Sequence, residues 1–230
     1  MKWIAPLSLL VVAVAGSPLE KRAQPQGIDV SDHQPNINWG QVKANGVEFA
    51  YIKATEGITF ISPPFNFQRG GATSVDLIRG AYHFARPEQS PGSAQANFFI
   101  GNGGGWIADG RTLPGVLHLE AGPNGHPCYG LNPGSMDLWI RDFSNTYRSR
   151  TGRFPVIYTT TSWWQQCTGN NPTFASTNPL WIAAPANPGA LPAGWGFYTF
   201  LQHAADSGPN PGQDVFNGDS AGLRRFAASP

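Results

Sequence analysis

Short runs rich in β-branched and aromatic residues recur along the chain, separated by stretches of helical or polar character. They occupy residues 27–30, 49–53, 77–83, 115–120, 156–159, 180–183 and 198–202, with a last one at Gln213-Asp214-Val215-Phe216. Such runs predict strands. Between them, residues 39–45, 66–74, 90–101 and 135–151 predict helices. The last of these spaces Met136, Trp139, Ile140, Phe143 and Tyr147 three and four apart, so one apolar stripe is set to bury against a sheet. Alternating strands and helices predict an α/β fold around a parallel sheet. From Asn170 onward Pro and Gly are dense and the helical period fades, so the last strands are expected to be joined by loops.

The N-terminus has a different pattern. Met1-Lys2-Trp3 leads into an apolar run from Ile4 to Ala15 and the small residue Gly16. This is the layout of a secretory signal peptide over residues 1–16, and the run is too short to span a membrane. Residues 17–22 end in the dibasic pair Lys21-Arg22 and read as a short propeptide. That leaves 23–230 as one domain, with no internal repeat or linker. Loss of Lys2, Glu20, Lys21 and Arg22 from the 15 basic and 14 acidic residues leaves 12 against 13. A nearly neutral chain is not a nucleic-acid binder, and no membrane partner is expected after processing. With 28 Gly, 21 Pro and 12% aromatics, the composition fits a loop-rich extracellular protein with an aromatic-lined groove, and a monomer is expected. In an oxidising compartment the pair Cys128 and Cys167 predicts a disulfide, the alternative being two buried thiols. No neighbouring Cys or His supplies zinc spacing, so neither metal nor cofactor is expected.

In a parallel barrel the strand ends are where ligand sites gather. Here those ends carry Asp29, Lys53, Glu56, Tyr82, His83, His118, Glu120, Tyr158, Gln202 and Asp214. His118 and Glu120 are two apart and share a face. Carboxylates grouped in a low dielectric raise one another's pKa, and a protonated one can donate to a glycosidic oxygen. Taken singly, a strand-end Asp more often caps a turn.

The motifs narrow the choice. Gly27-Ile28-Asp29-Val30-Ser31-Asp32-His33-Gln34, Ile52-Lys53-Ala54-Thr55-Glu56-Gly57, Gly80-Ala81-Tyr82-His83-Phe84, Val156-Ile157-Tyr158-Thr159 and Asp214-Val215-Phe216-Asn217-Gly218 resemble, in order, the strand-end motifs of the family 25 glycoside hydrolases, the lysozyme-type muramidases. Segments 158–167 and 178–183 are similar to secreted fungal members. The resemblance implies a modified TIM-like β/α barrel whose last strands lack intervening helices. It also implies cleavage of the β-1,4 bond between N-acetylmuramic acid and N-acetylglucosamine in bacterial peptidoglycan. Residue by residue, it makes Glu120 the general acid, Asp29 and Asp214 its flanking acids, and Glu56, Tyr82 and Tyr158 cleft-lining positions. Gln202 and Trp195 are added here as substrate contacts.

One motif departs from the pattern. The family reads Asp-x-Glu on the fourth strand, and this chain reads His118-Leu119-Glu120. An imidazole can accept a hydrogen bond but supplies no negative charge to an oxocarbenium-like transition state. Ala184-Pro185 and Leu201-Gln202-His203 also depart near the same mouth. A second reading is therefore a glycan-binding protein without turnover, using Tyr82, Tyr158 and Trp195 as stacking surfaces. His33 and His83 are expected to hydrogen-bond as neutral groups, and Trp163-Trp164 to pack beside the disulfide.

Overall fold

The computed structural model describes residues 24–122, 125–185 and 188–229. The expected signal peptide and propeptide lie outside them. The elements run β1 (Gln26–Val30), α1 (Trp39–Ala44), β2 (Val47–Glu56), β3 (Phe60–Ile61), α2 (Phe65–Ser74), β4 (Ile78–Phe84), α3 (Gly92–Phe99), β5 (Val116–His118), α4 (Pro133–Thr151), β6 (Val156–Thr159), α5 (Thr161–Thr168), β7 (Leu180–Ala183), β8 (Phe200–Ala204), β9 (Gly212–Phe216) and α6 (Ser220–Ala228). Among the described residues the sheet has nine strands, ordered β1-β9-β8-β7-β6-β5-β4-β2-β3. A β1–β2 pairing closes it into a barrel, and β3 only folds back on the end of β2. The ladder is parallel from β1 through β2 and β4 round to β8, and antiparallel at β8–β9 and β9–β1. No helix among the described residues is long and apolar enough to cross a membrane.

Period-two alternation gives the barrel two cores. Phe49, Tyr51, Tyr82, Val116, Val156, Tyr158, Trp181, Phe200 and Phe216 pack together in the lumen. Ala50, Ile52, Leu117, Ile157 and Ile182 face outward and pack with helix residues such as Phe99, Met136, Ile140 and Phe143. Large lumen rings need space opposite them. A Cβ on Gly27 would lie 2.2 Å from Phe49 Cζ, and one on Gly80 would lie 2.3 Å from Tyr51 Cε1, so only glycine admits those rings. The helix predicted over 135–151 starts at Pro133, behind Asn132, whose side chain accepts from Ser135 N, and ends at left-handed Gly152.

The loop-linked last strands are as expected, but two helices are additions. In α5 the Thr160 side chain accepts from Trp163 N, and the helix ends after two turns at left-handed Gly169. In α6 the Asp219 side chain accepts from Gly222 N. Leu223 and Ala227 of α6 join the lumen core, and Phe226 meets Phe200 and Phe216, so α6 plugs the barrel where the parallel strands begin. The expected disulfide is present. Cys128–Cys167 ties the loop after β5 to α5 across 39 residues, and Trp163 Nε1 donates to Pro127 O beside it at 2.8 Å. Replacing both cysteines with serine is expected to lower unfolding free energy by about 3 kcal/mol, read by denaturant titration. A loss below about 1 kcal/mol would mean the loop is held without the bridge.

Candidate active site

At the C-terminal mouth of the parallel strands, alternation brings Asp29, Tyr82, His118, Tyr158, Gln202 and Asp214 onto the inner wall. Register sets the deepest pair. On neighbouring strands Gly27 pairs with Asp214 and Asp29 with Gly212, and a Cβ on Gly212 would lie 1.9 Å from Asp29 Oδ2. Glycine at 212 is therefore what lets the Asp29 carboxyl lie across β9. The Tyr158 hydroxyl donates to Gln202 Oε1 at 2.7 Å, and Gln202 Nε2 donates to Asp29 Oδ2 at 2.7 Å. Trp181 Nε1 donates to Asp214 Oδ1 at 2.9 Å. Both carboxyls are buried as neighbours, and Asp214 Oδ2 meets no donor, an arrangement that favours a proton on one of them.

Burial pushes Asp29 up from 3.8 to about 6, against the Gln202 hydrogen bond and the attraction of His118. Burial, then the neighbouring Asp29 charge, holds Asp214 well above the ordinary carboxylate range. Because the folded state keeps protons that the unfolded chain releases, this pair stabilises fully below the free value of 3.8. That contribution is lost as pH rises through about 6. His83 acts in the opposite sense. Burial pushes it down to about 4, so its neutral form stabilises less as pH falls from 6.5. Comparison with Asp214→Asn isolates the pair, since the amide mimics the protonated acid. Between pH 4 and 7 the melting temperature of the variant should rise relative to the parent by roughly 5 °C, by calorimetry. Parallel curves would refute the retained proton.

Above this pair lies the end of β5. The His118 ring stacks on Tyr158 with centroids 3.9 Å apart, and on Phe84 and Tyr82 at 5.1 and 5.3 Å. Its Nε2 is 3.0 Å from Glu120 Oε2. Neither ring nitrogen makes an aligned hydrogen bond, so the contact is one of proximity and not of a directed bond. The Glu120 side chain is 43% exposed. Its backbone carbonyl accepts from Tyr129 hydroxyl at 2.9 Å, and its carboxyl borders a cavity of about 430 Å³ with Ala121, Pro127, Thr160, Ser162, Trp163 and Gln166. Burial raises the Glu120 pKa, but His118 and then Lys53 outweigh it and leave the carboxyl below its ordinary value.

The three acids expected to converge therefore form two groups. Asp29 and Asp214 both sit above the ordinary carboxylate range, chiefly through burial; the Asp29 charge adds to the rise at Asp214, whereas contact with Asp214 lowers Asp29. Glu120 is shifted the opposite way, because its nearest charged neighbours are a histidine and a lysine.

Glu56 sits on the rim at the end of β2. Lys53 Nζ and Arg86 Nη1 reach its two oxygens at 3.0 and 2.8 Å; burial raises its pKa, and these two cations outweigh it. Tyr82 and Tyr158 are floor residues with little free surface, so their faces are spent on His118. Trp195 is elsewhere. It lies against Trp164 at 5.1 Å and donates to Asn178 O, in the segment before β8 at the other end of the barrel. The long Pro- and Gly-rich stretch before β8 hid that placement. Exposed His33 lies 3.7 Å from Asp206. His83 points outward and is held by Thr55 Oγ1 and Gln95 Oε1, both at 2.8 Å. Trp181 and Arg86 carried no expectation. The inward parity of Trp181, two residues from Ala183 on β7, was the available clue. No group of three metal-binding side chains is placed to hold an ion among the described residues.

Paired and single carboxylates at the open end of a β/α barrel are the equipment of glycoside hydrolases, and this chain is one. The profile of glycosyl hydrolases family 25 matches residues 28–212. An N,O-diacetylmuramidase of Arthroderma benhamiae is 47% identical over 96% of this chain and 98% of its own length. Lysozyme M1 of Streptomyces globisporus is 47% identical over 88% of this chain and 71% of its own. A muramidase from Acremonium alcalophilum superposes with a TM-score of 0.87 at 52% identity, over 89% of this chain and 99% of that one. The chain belongs to glycosyl hydrolases family 25.

Proposed function

We propose that this is a secreted muramidase that hydrolyses the β-1,4 bond between N-acetylmuramic acid and N-acetylglucosamine in bacterial peptidoglycan, with Glu120 as general acid. The carrying observation is the half-exposed Glu120 carboxyl beside its cavity, at the same mouth as the buried Asp29–Asp214 pair. Relatives named as muramidases and lysozyme support the substrate class. The apolar leader and the Cys128–Cys167 bridge support secretion. In this reading Glu120 gives its proton to the leaving oxygen as the bond to the anomeric carbon breaks, and water supplies the hydroxyl to that carbon while its other proton restores the Glu120 carboxyl. Asp29 and Asp214 provide negative charge and hydrogen bonds beneath the sugar, while Glu56 and Gln202 contact it. The protein works as a monomer without cofactor or metal.

One observation favours the second reading, a glycan-binding protein without turnover. His118 beside Glu120 favours the ionised carboxylate, which cannot donate. The test is loss of turbidity of Gram-positive cell walls. Lysis supports the muramidase, whereas binding without lysis at every pH from 4 to 8 would leave only the binding protein.

A further inference from the structure

We propose that a cationic trough at the opposite end of the barrel is a second, non-catalytic site. It would grip peptidoglycan through its stem-peptide carboxylates and the faces of its sugars. This rests on the peptidoglycan reading above. The trough is three adjoining cavities. One of about 530 Å³ lies under α6, bordered by Arg225, Phe226, Phe197, Tyr198 and Asn217. Through Ser176, Thr177 and Asn178 it meets a second, of about 280 Å³, bordered by Arg141 and Phe174. Through Asn145 this meets a third, of about 410 Å³, bordered by Arg148. Asn178 precedes β7 and Asn217 follows β9, which puts the start of the trough at the end remote from Glu120.

Its chemistry differs from that of the mouth. Asp29, Asp32, Glu56, Glu120, Asp206 and Asp214 gather at the mouth, whereas no Asp or Glu borders any of the three cavities. The cations are arginines, whose planar forks suit carboxylates. The Arg225 guanidinium makes no side-chain hydrogen bond or ion pair among the described residues. Arg141 and Arg148 lie over the Phe174 and Phe154 rings at 5.1 and 4.7 Å, which orients them; Asp137, one turn back on α4, attracts Arg141. Phe197 is 69% exposed, an uncovered ring on which the C–H face of a pyranose can lie. A row of fixed cations, an open aromatic face and side-chain hydroxyls match a linear, hydroxyl-rich polymer with regularly spaced carboxylates. The arginines along the trough attract an anionic strand. Insoluble wall can engage both ends, and a short soluble fragment only the mouth.

The test uses the secreted chain carrying Glu120→Gln, so that walls persist, and purified peptidoglycan stripped of protein and phosphodiester polymers. Adding Phe197→Ala and Arg225→Gln should weaken retention roughly tenfold, and Arg148→Gln, at the far end of the trough, roughly threefold. With Glu120 restored, the Phe197→Ala, Arg225→Gln chain should hydrolyse short soluble glycan fragments within about twofold of the parent. The proposal is overturned if retention is unchanged, if it requires the phosphodiester polymers, or if soluble hydrolysis falls in step with retention. Should the parent hydrolyse nothing, the catalytic reading fails, and the retention comparison still decides the trough.

Discussion

Glu120→Gln is expected to lower the rate of wall lysis by about a thousandfold, the usual range for losing a general acid, with little change in the amount of wall bound. The substitution preserves what holds the segment in place. The Tyr129 hydroxyl bonds the Glu120 backbone carbonyl, not its side chain, and the Cys128–Cys167 bridge anchors the following loop. Glutamine fills the same volume and still meets His118, but it has no proton to give. The rate should fall through kcat on soluble fragments, since an amide can keep ground-state contacts. A loss under tenfold would move the acid role elsewhere. The buried Asp29–Asp214 carboxyls are also raised above the ordinary carboxylate range, but they are buried beneath the mouth, away from a leaving oxygen at the rim.

The barrel was legible because its signals are local and periodic. A strand with alternate residues in two different cores, such as Phe49 and Tyr51 inward against Ala50 and Ile52 outward, declares itself in five residues. The stripe from Met136 to Tyr147 does the same for α4. Short helices are harder. α5 has eight residues and two adjacent tryptophans that resemble a strand, and its helical state depends on the Thr160 and Gly169 caps. α6 is stabilised by filling the lumen, a tertiary effect that acts between Leu223 and rings on distant strands.

Within the site, residues at strand ends could be placed from parity alone, and Asp29, Tyr82, His118, Tyr158, Gln202 and Asp214 fall where parity puts them. Trp195 has no strand to give it a direction. The split of the acids into a raised pair and a lowered glutamate was also hidden. It depends on side-chain contacts: 3.0 Å from His118 to Glu120 at the end of one strand, and a Gln202 bridge between Tyr158 and Asp29 across strands. Sequence spacing sets which residues share a face, and packing sets which charges become nearest neighbours.

His118→Asp is expected to raise kcat/KM on cell walls by about tenfold or more. Two physical effects contribute. The change removes the imidazole that, with Lys53, draws Glu120 below its ordinary pKa, and puts a like charge two residues away on the same strand face. Glu120 then stays protonated to higher pH, so the limb on which activity falls with rising pH should move upward. Negative charge at 118 also opposes the positive charge that develops at the anomeric carbon. His118→Asn separates the two, because it removes the imidazole without supplying an anion. If the Asn variant gains as much as the Asp variant, tuning of Glu120 is the whole effect. If only Asp gains, a further negative charge at position 118 is what the parent lacks. Loss of the stack on Tyr158, Phe84 and Tyr82 should cost about 2 kcal/mol of stability in either variant, so rates are compared well below the unfolding temperature. With neither a gain nor a moved limb, His118 would not be what restrains Glu120, and the restraint would have to come from Lys53, which stays charged and close in both variants.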